Sequence, residues 1–472
     1  MANSRGKNLA KNTMILTIGK VSTQAITFFL LPLYTAYLSR EDYGVVDLIA
    51  TIVSLLIPIL NVQIEQAIFR YMVVNRQNNE ELKRIVSSAF SFIFCQMAIA
   101  TLLFLVVQPF IHNEYKWFLL VNLILGILNF SLMQVMRGLG DNIGYATSAF
   151  VSSVVNIGVN LLLILVFNLG ATALLSATAI GGIVSISYIL VRTKFWKYYS
   201  VSSFEKSWLK ELLKYSYPLV PNELSWWAIR ASDRFVITAA LGASANGIIA
   251  IAHKFPSVFI MMYNIFGIAW TESVVLHLKE EDGEKFFSNT TNRMLRLFSC
   301  IVLLLIAVMP FVFGIIINDK FKEAYYLIPL YMIGTIFNVV IGLVSTVYIV
   351  HKQTKVIAKT SVTAAIICLV TDILLVKLIG TYASPVSNIL GFGAMMLYRC
   401  YDIKRYVLIV WDVRFISMFV IVMSIAVFAY YIENTIICIL ALIIALLFTY
   451  LVNKNDFSII IRGVKGKFLR SK

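Results

Sequence analysis

Along this 472-residue chain, apolar residues gather into long runs separated by short polar stretches. A helix needs roughly 20 mostly apolar residues to cross about 30 Å of hydrocarbon at about 1.5 Å per residue, and most of these runs reach that length. The pattern predicts spanning helices over residues 13–38, 43–72, 85–110, 117–136, 144–167 and 171–191. After a basic stretch come 215–241, 247–275, 294–317, 324–350, 356–378 and 382–401, and then 415–432 and 436–452. The run 382–401 is the most interrupted, by Pro385, Gly391 and Gly393. The expected fold class is an all-α membrane protein with about 14 transmembrane helices.

Composition agrees, since 60% of residues are hydrophobic and only 14% are charged, far from the balance of a water-soluble domain. The net charge of +16 raises the question of nucleic acid, and the placement of the basic residues answers it. With the N-terminus in the cytoplasm, 31 of the 40 Lys and Arg residues fall in inner segments and 5 in outer ones. That asymmetry is the positive-inside signature and places both termini in the cytoplasm. No soluble module interleaves basic and exposed aromatic residues, so a nucleic-acid partner is excluded. The five cysteines lie singly in apolar runs, matching neither a disulfide framework nor a metal cluster. The first apolar run is too long for a cleaved signal peptide and is expected to remain as a helix.

Six helices, a long basic loop and six more suggest an internal duplication. Thr35-Ala36-Tyr37-Leu38 with Gly44-Val45-Val46 aligns with Thr238-Ala239-Ala240-Leu241 and Gly247-Ile248-Ile249 at a constant offset of 203. Gly170, Ala173 and Gly181 align with Gly380, Ala383 and Gly391 at an offset of 210. Each half holds an even number of helices, so the copies share one orientation, with a central cleft expected between them. The implied organisation is an N-terminal six-helix half (1–205), a C-terminal half (206–405), two additional helices (406–453) and a basic cytoplasmic tail (454–472).

Charges inside spanning helices are costly, about 2.5–3.5 kcal/mol each on insertion scales, and therefore point to water-filled space or a partner. In the first helix, Thr13, Thr17, Lys20, Gln24 and Thr27 recur at helical spacing and share a face. In the seventh, Glu223, Trp227, Arg230 and Arg234 do the same, with Asp233 three residues from Arg230. An Arg230–Asp233 pair is open as a purely structural lock, and it leaves Arg234 over. Pro218 and Pro221 are expected to bend or break this helix near its start. The second helix carries Glu65, Gln66 and Arg70, the last readable either as a site residue or as an anchor snorkelling to the interface. The eighth carries His253 and Lys254, and the eleventh carries Asp372 near the place Asn160 takes in the fifth. Cations predominate on the first and seventh helices, which favours an anionic, phosphate-bearing substrate.

Pro221, Trp227, Asp233-Arg234, Leu241-Gly242, Gly247 and Lys254, in that order, resemble the seventh and eighth helices of bacterial polysaccharide repeat-unit flippases. These are the Wzx-type O-antigen and capsule transporters of the multidrug/oligosaccharidyl-lipid/polysaccharide exporter superfamily. The resemblance implies a multi-pass protein of the bacterial cytoplasmic (inner) membrane. It further implies that the chain carries a polyprenyl-diphosphate-linked oligosaccharide to the outer leaflet by alternating access. Membrane lipids, a polysaccharide polymerase and glycosyltransferases are the implied partners. On this reading Lys20, Gln24, Arg70, Arg230, Arg234 and Lys254 bind diphosphate or sugar, while Glu65, Asp233, His253 and Asp372 serve coupling or gating. No enzymatic activity is expected. With no G-x-x-x-x-G-K-[ST] loop present, energy is expected from gradients or downstream consumption, with proton or sodium coupling open and no cofactor. Two alternatives within the superfamily are a lipid II flippase and a cation-coupled drug antiporter, the latter expected to show carboxylates dominating its cavity.

Overall fold

The computed structural model describes residues 28, 30–278 and 280–470, and for residues 230, 268, 269, 272, 276 and 455–470 the backbone alone. All regular structure among the described residues is helical. Contacts divide the chain into two compact units, the first ending at Ala250 and the second beginning at Ile251.

The first unit contains α1 (Leu31–Tyr37), α2 (Arg40–Leu60), α3 (Ile64–Val74), α4 (Asn79–Val107), α5 (Lys116–Leu139), α6 (Asn142–Leu165), α7 (Gly170–Thr193), α8 (Lys206–Ser216) and α9 (Val220–Leu241). It also takes in most of α10 (Ala243–Ala252). Ser39 opens α2 with a capping box, its hydroxyl accepting from Asp42 N at 3.0 Å while Asp42 accepts from Ser39 N. The core is built from Ile64, Ile68 and Met72 of α3, Ile85 and Phe90 of α4, and Ile127 and Val135 of α5, closed by Leu212 of α8. Helices α6 and α7 approach through small residues: Ser152 Oγ donates to Gly181 O at 2.9 Å, and the hydroxyls of Ser148 and Ser185 meet at 2.8 Å.

The second unit contains α11 (Lys254–His277), α12 (Gly283–Ile316), α13 (Glu323–Val350), α14 (Thr354–Ile379), α15 (Ala383–Asp402), α16 (Val413–Ile432) and α17 (Thr435–Arg470). Its α14–α15 pair repeats the α6–α7 contact in detail. A Cβ on Gly181 would meet Ser152 O at 2.9 Å and Asn156 Cβ at 3.3 Å. One on Gly391 would meet Ala364 O at 3.1 Å and Cys368 Sγ at 2.2 Å. Ala364 and Cys368 stand at one constant offset from Ser152 and Asn156, and Asp372 stands at the same offset from Asn160. Both Asn160 and Asp372 are buried.

Three predicted segments differ from the observed helices. The run 43–72 is two helices, because α2 closes at Asn61 just after Pro58, and Val62 and Gln63 adopt left-handed φ of 52° and 55°. Hydrophobicity is blind to that conformation, so the run reads as continuous. The run 247–275 breaks at His253, where α10 and the first half of α11 meet at a 41° bend. The run 215–241 starts later: Pro218 lies in the 3-10 turn Tyr217–Leu219, and Pro221 lies in the first turn of α9, where no intrahelical N–H is needed. The prolines thus define the start of α9 rather than interrupting it.

Ten stretches among the described residues are long and apolar enough to cross a membrane, or eleven if the bent α10–α11 pair is one span. One stretch, Thr354–Arg405, has 52 residues and holds both α14 and α15, length enough for two crossings of about 30 Å. The four charges of α9 keep it out of this set, and of the first predicted helix, 13–38, residues 28 and 30–38 are described, with α1 at Leu31–Tyr37.

Candidate functional site

The polar face of α9 turns toward α2. Arg234 Nε donates to Asp47 Oδ2 at 2.7 Å, and Arg234 Nη1 donates to Asp233 Oδ1 at 3.2 Å. All three side chains are largely buried. Seven residues earlier on α9, Trp227 Nε1 donates to Ser54 Oγ at 3.0 Å. Asp47 and Ser54 are also seven apart, so two turns of each helix match in opposite order and the helices run antiparallel along this face. Arg234, expected to be left over once Asp233 paired, is instead held between two carboxylates. Asp47 is the member that sequence reading missed. Its signal was the Asp47–Ser54 spacing within the apolar part of the helix.

A second polar group lies where α2 breaks into α3. Glu65 is buried and accepts from Asn61 Nδ2 at 2.6 Å, and the same nitrogen lies 3.3 Å from Ser131 Oγ on α5. Glu223 lies in the first turn of α9. The left-handed Gln63 positions this site, because it restarts the helix so that Glu65 falls in the first turn of α3 and faces inward. One and a half turns further, Arg70 is exposed and places its guanidinium 4.7 Å from the centre of the Tyr215 ring.

The other expected residues divide by unit. Arg230 lies in α9 of the first unit, one turn from Arg234. In the second unit, His253 sits at the bend before α11, its ring centroid 4.1 Å from that of Tyr331, and Lys254 opens α11. Asp372 is fully buried in α14. Lys20 and Gln24 lie outside the described residues. Among the described residues no group of three metal-ligating side chains comes together.

The second unit buries a cation that stands at the end of the predicted run 382–401 and was counted with the inner basic residues. Arg399, 1% exposed, donates from Nε to Thr360 Oγ1 at 2.9 Å, from Nη1 to Ser345 Oγ at 2.6 Å, and from Nη2 to Ile357 O and Ser361 Oγ at 3.1 Å each. Neutral oxygens from α13 and α14 satisfy it. The buried carboxylate one turn along, Asp402, is engaged by Arg405 and by Tyr348.

Among solved structures, the lipid II flippase MurJ in an inward closed conformation is 16% identical, with a TM-score of 0.68 over 94% of this chain and 100% of that one. An inward-facing multidrug resistance MATE family transporter of the MOP superfamily is 14% identical, with a TM-score of 0.65 over 82% and 98%. A MOP superfamily transporter from Pyrococcus furiosus is 12% identical, with a TM-score of 0.58 over 84% and 95%. At these identities the likeness establishes the fold, a MOP-type transporter fold. No curated protein matches the sequence. The sequence family described as polysaccharide biosynthesis protein matches residues 9–271, more than half of the chain and all of α1 to α10. This chain is therefore a member of the polysaccharide biosynthesis protein family, built on a multi-helix membrane transporter fold.

Proposed function

We propose that the protein is a flippase that moves a polyprenyl-diphosphate-linked oligosaccharide repeat unit from the cytoplasmic to the outer leaflet of the bacterial inner membrane, for surface polysaccharide biosynthesis. The observation that carries this reading is the family match over residues 9–271, which contains the charged face of α9. In an apolar surrounding, Arg and Lys give charge-assisted hydrogen bonds to phosphate oxygens. The diphosphate is assigned to Lys20, Arg230 and Arg234, with Arg70 receiving it from the cytoplasmic side. Asp47 and Asp233 anchor the Arg234 guanidinium on this face. Glycosyltransferases supply the substrate and a polymerase consumes the product.

A second reading has an observation in its favour. The described polar residues of the first unit include the carboxylates Asp47, Asp233, Glu65 and Glu223, which suits a cation-coupled antiporter of the same superfamily. One host strain lacking its own repeat-unit flippase separates the two. Under the flippase reading the protein restores surface polymer, and Arg230→Ala and Arg234→Ala each abolish it while inserting at normal levels. Near-normal polymer from both variants removes the binding assignment. Drug resistance without polymer selects the antiporter.

A further inference from the structure

The segment joining α7 to α9 exposes a combination of side chains that neither unit's packing uses. It carries five exposed lysines, Lys194, Lys197, Lys206, Lys210 and Lys214, and none has a carboxylate within 4 Å among the described residues. The acids nearby are already engaged. Asp141 binds Arg192, Glu205 lies 3.8 Å from Arg84, and Glu211 Oε2 accepts from Tyr71 at 3.5 Å. The apolar face of α8 is also spent, with Leu212 in the core and Trp208 Nε1 bound to Glu81 at 2.8 Å. Yet the same segment leaves Trp196 61%, Val201 73%, Phe204 43% and Tyr217 70% exposed.

A wholly aqueous loop has no use for four large apolar side chains in the open, and a purely apolar partner has none for five unpaired lysines. A surface that is apolar at one depth and anionic at the next satisfies both. The position of the segment fixes the depth, because it begins where the spanning helix α7 ends at Thr193 and closes where α9 begins at Val220. We infer that residues 194–217 form a docking surface for anionic phospholipid headgroups, with the lysines on the phosphates and Trp196, Val201, Phe204 and Tyr217 in the interfacial layer. It orients the segment against the leaflet, independently of what the protein transports.

The test is amide hydrogen exchange of the full chain in nanodiscs of pure phosphatidylcholine and of phosphatidylcholine with about 30% phosphatidylglycerol. Amides 194–205 are expected to exchange at least about threefold more slowly with the anionic lipid, and about 0.5 M salt is expected to remove the difference. Replacing all five lysines with Gln is expected to abolish the lipid dependence while leaving exchange in α4 and α5 unchanged. Trp196→Ser is expected to reduce protection in the anionic discs. Equal protection in both lipids overturns the headgroup assignment in favour of apolar contact alone. Absence of protection in either overturns the docking surface and leaves a soluble protein partner as the occupant.

Discussion

Arg234 and Arg399 show two ways of keeping a guanidinium in an apolar place. Arg234 is held by two carboxylates on two helices, so removing one partner leaves the other. Asp47→Ala and Arg234→Ala are each expected to lower thermal stability, with a coupling in the double-mutant cycle of about 1.5–3 kcal/mol, typical of a hydrogen bond to a charged group. Additive effects would show that the Asp47 contact carries no energy. Among the described residues Arg399 has neutral partners alone, and two of these, Ser345 and Thr360, already donate to their own helices at Ile341 O and Val356 O. Replacing Arg399 with Met therefore strands no donor and relieves a buried charge of its desolvation penalty. Thermal unfolding is expected to show Arg399→Met at or above the parent, and Arg399→Ala below it by about 2–4 kcal/mol because a cavity remains. A fall in both by the same amount would show that the hydrogen bonds dominate. The difference between these residues was only partly legible in the sequence. Helical spacing exposed Arg234, whereas Arg399 stands at the end of a run beside Lys404 and Arg405 and reads as one more loop cation.

Between elements of the first unit, glycine backbone meets backbone at the crossing of α2 and α10. A Cβ on Gly44 would lie 1.8 Å from Ala243 O, and a Cβ on Gly247 would lie 2.1 Å from Arg40 O. The contact is reciprocal, since each glycine meets the carbonyl four residues before the other, and Asn246 Nδ2 adds a 2.8 Å bond to Gly44 O. Backbone cannot step aside as a side chain can. Gly44→Ala and Gly247→Ala are each expected to cost about 1–3 kcal/mol or more by overpacking, while Gly158→Ala, with nothing within 4 Å, gains about 0.5–1 kcal/mol of helix propensity. Equal melting temperatures for all three would dismiss the crossing as a tight contact. Both glycines were visible beforehand as members of the repeated Leu-to-Gly stretches, because a duplicated motif survives in spacing. The break at Asn61 to Gln63 was not, because a residue turning left-handed leaves no mark on an apolar run.

For the molecule as a whole, the helical, many-span architecture was legible from run length alone, while the duplication that the offsets suggest remains a proposal beside the similar α6–α7 and α14–α15 contacts. The polar partners were harder to read, since they depend on which helices meet. The basic-residue asymmetry makes a prediction at this scale. A fluorescent protein fused after Lys472 is expected to mature in the cytoplasm, and cysteines placed at Lys320 and Lys377 in a cysteine-free background are expected to react with an impermeant maleimide from outside. Protection of both outer positions would invert the topology. The reciprocal glycine crossing also bears on ancestry. Two half-length chains pairing about a shared axis need a single glycine codon, because one residue fills both places. On the duplication that the offsets propose, two codons must be kept where one sufficed, and neither glycine can drift alone, because each is constrained by a carbonyl across the crossing.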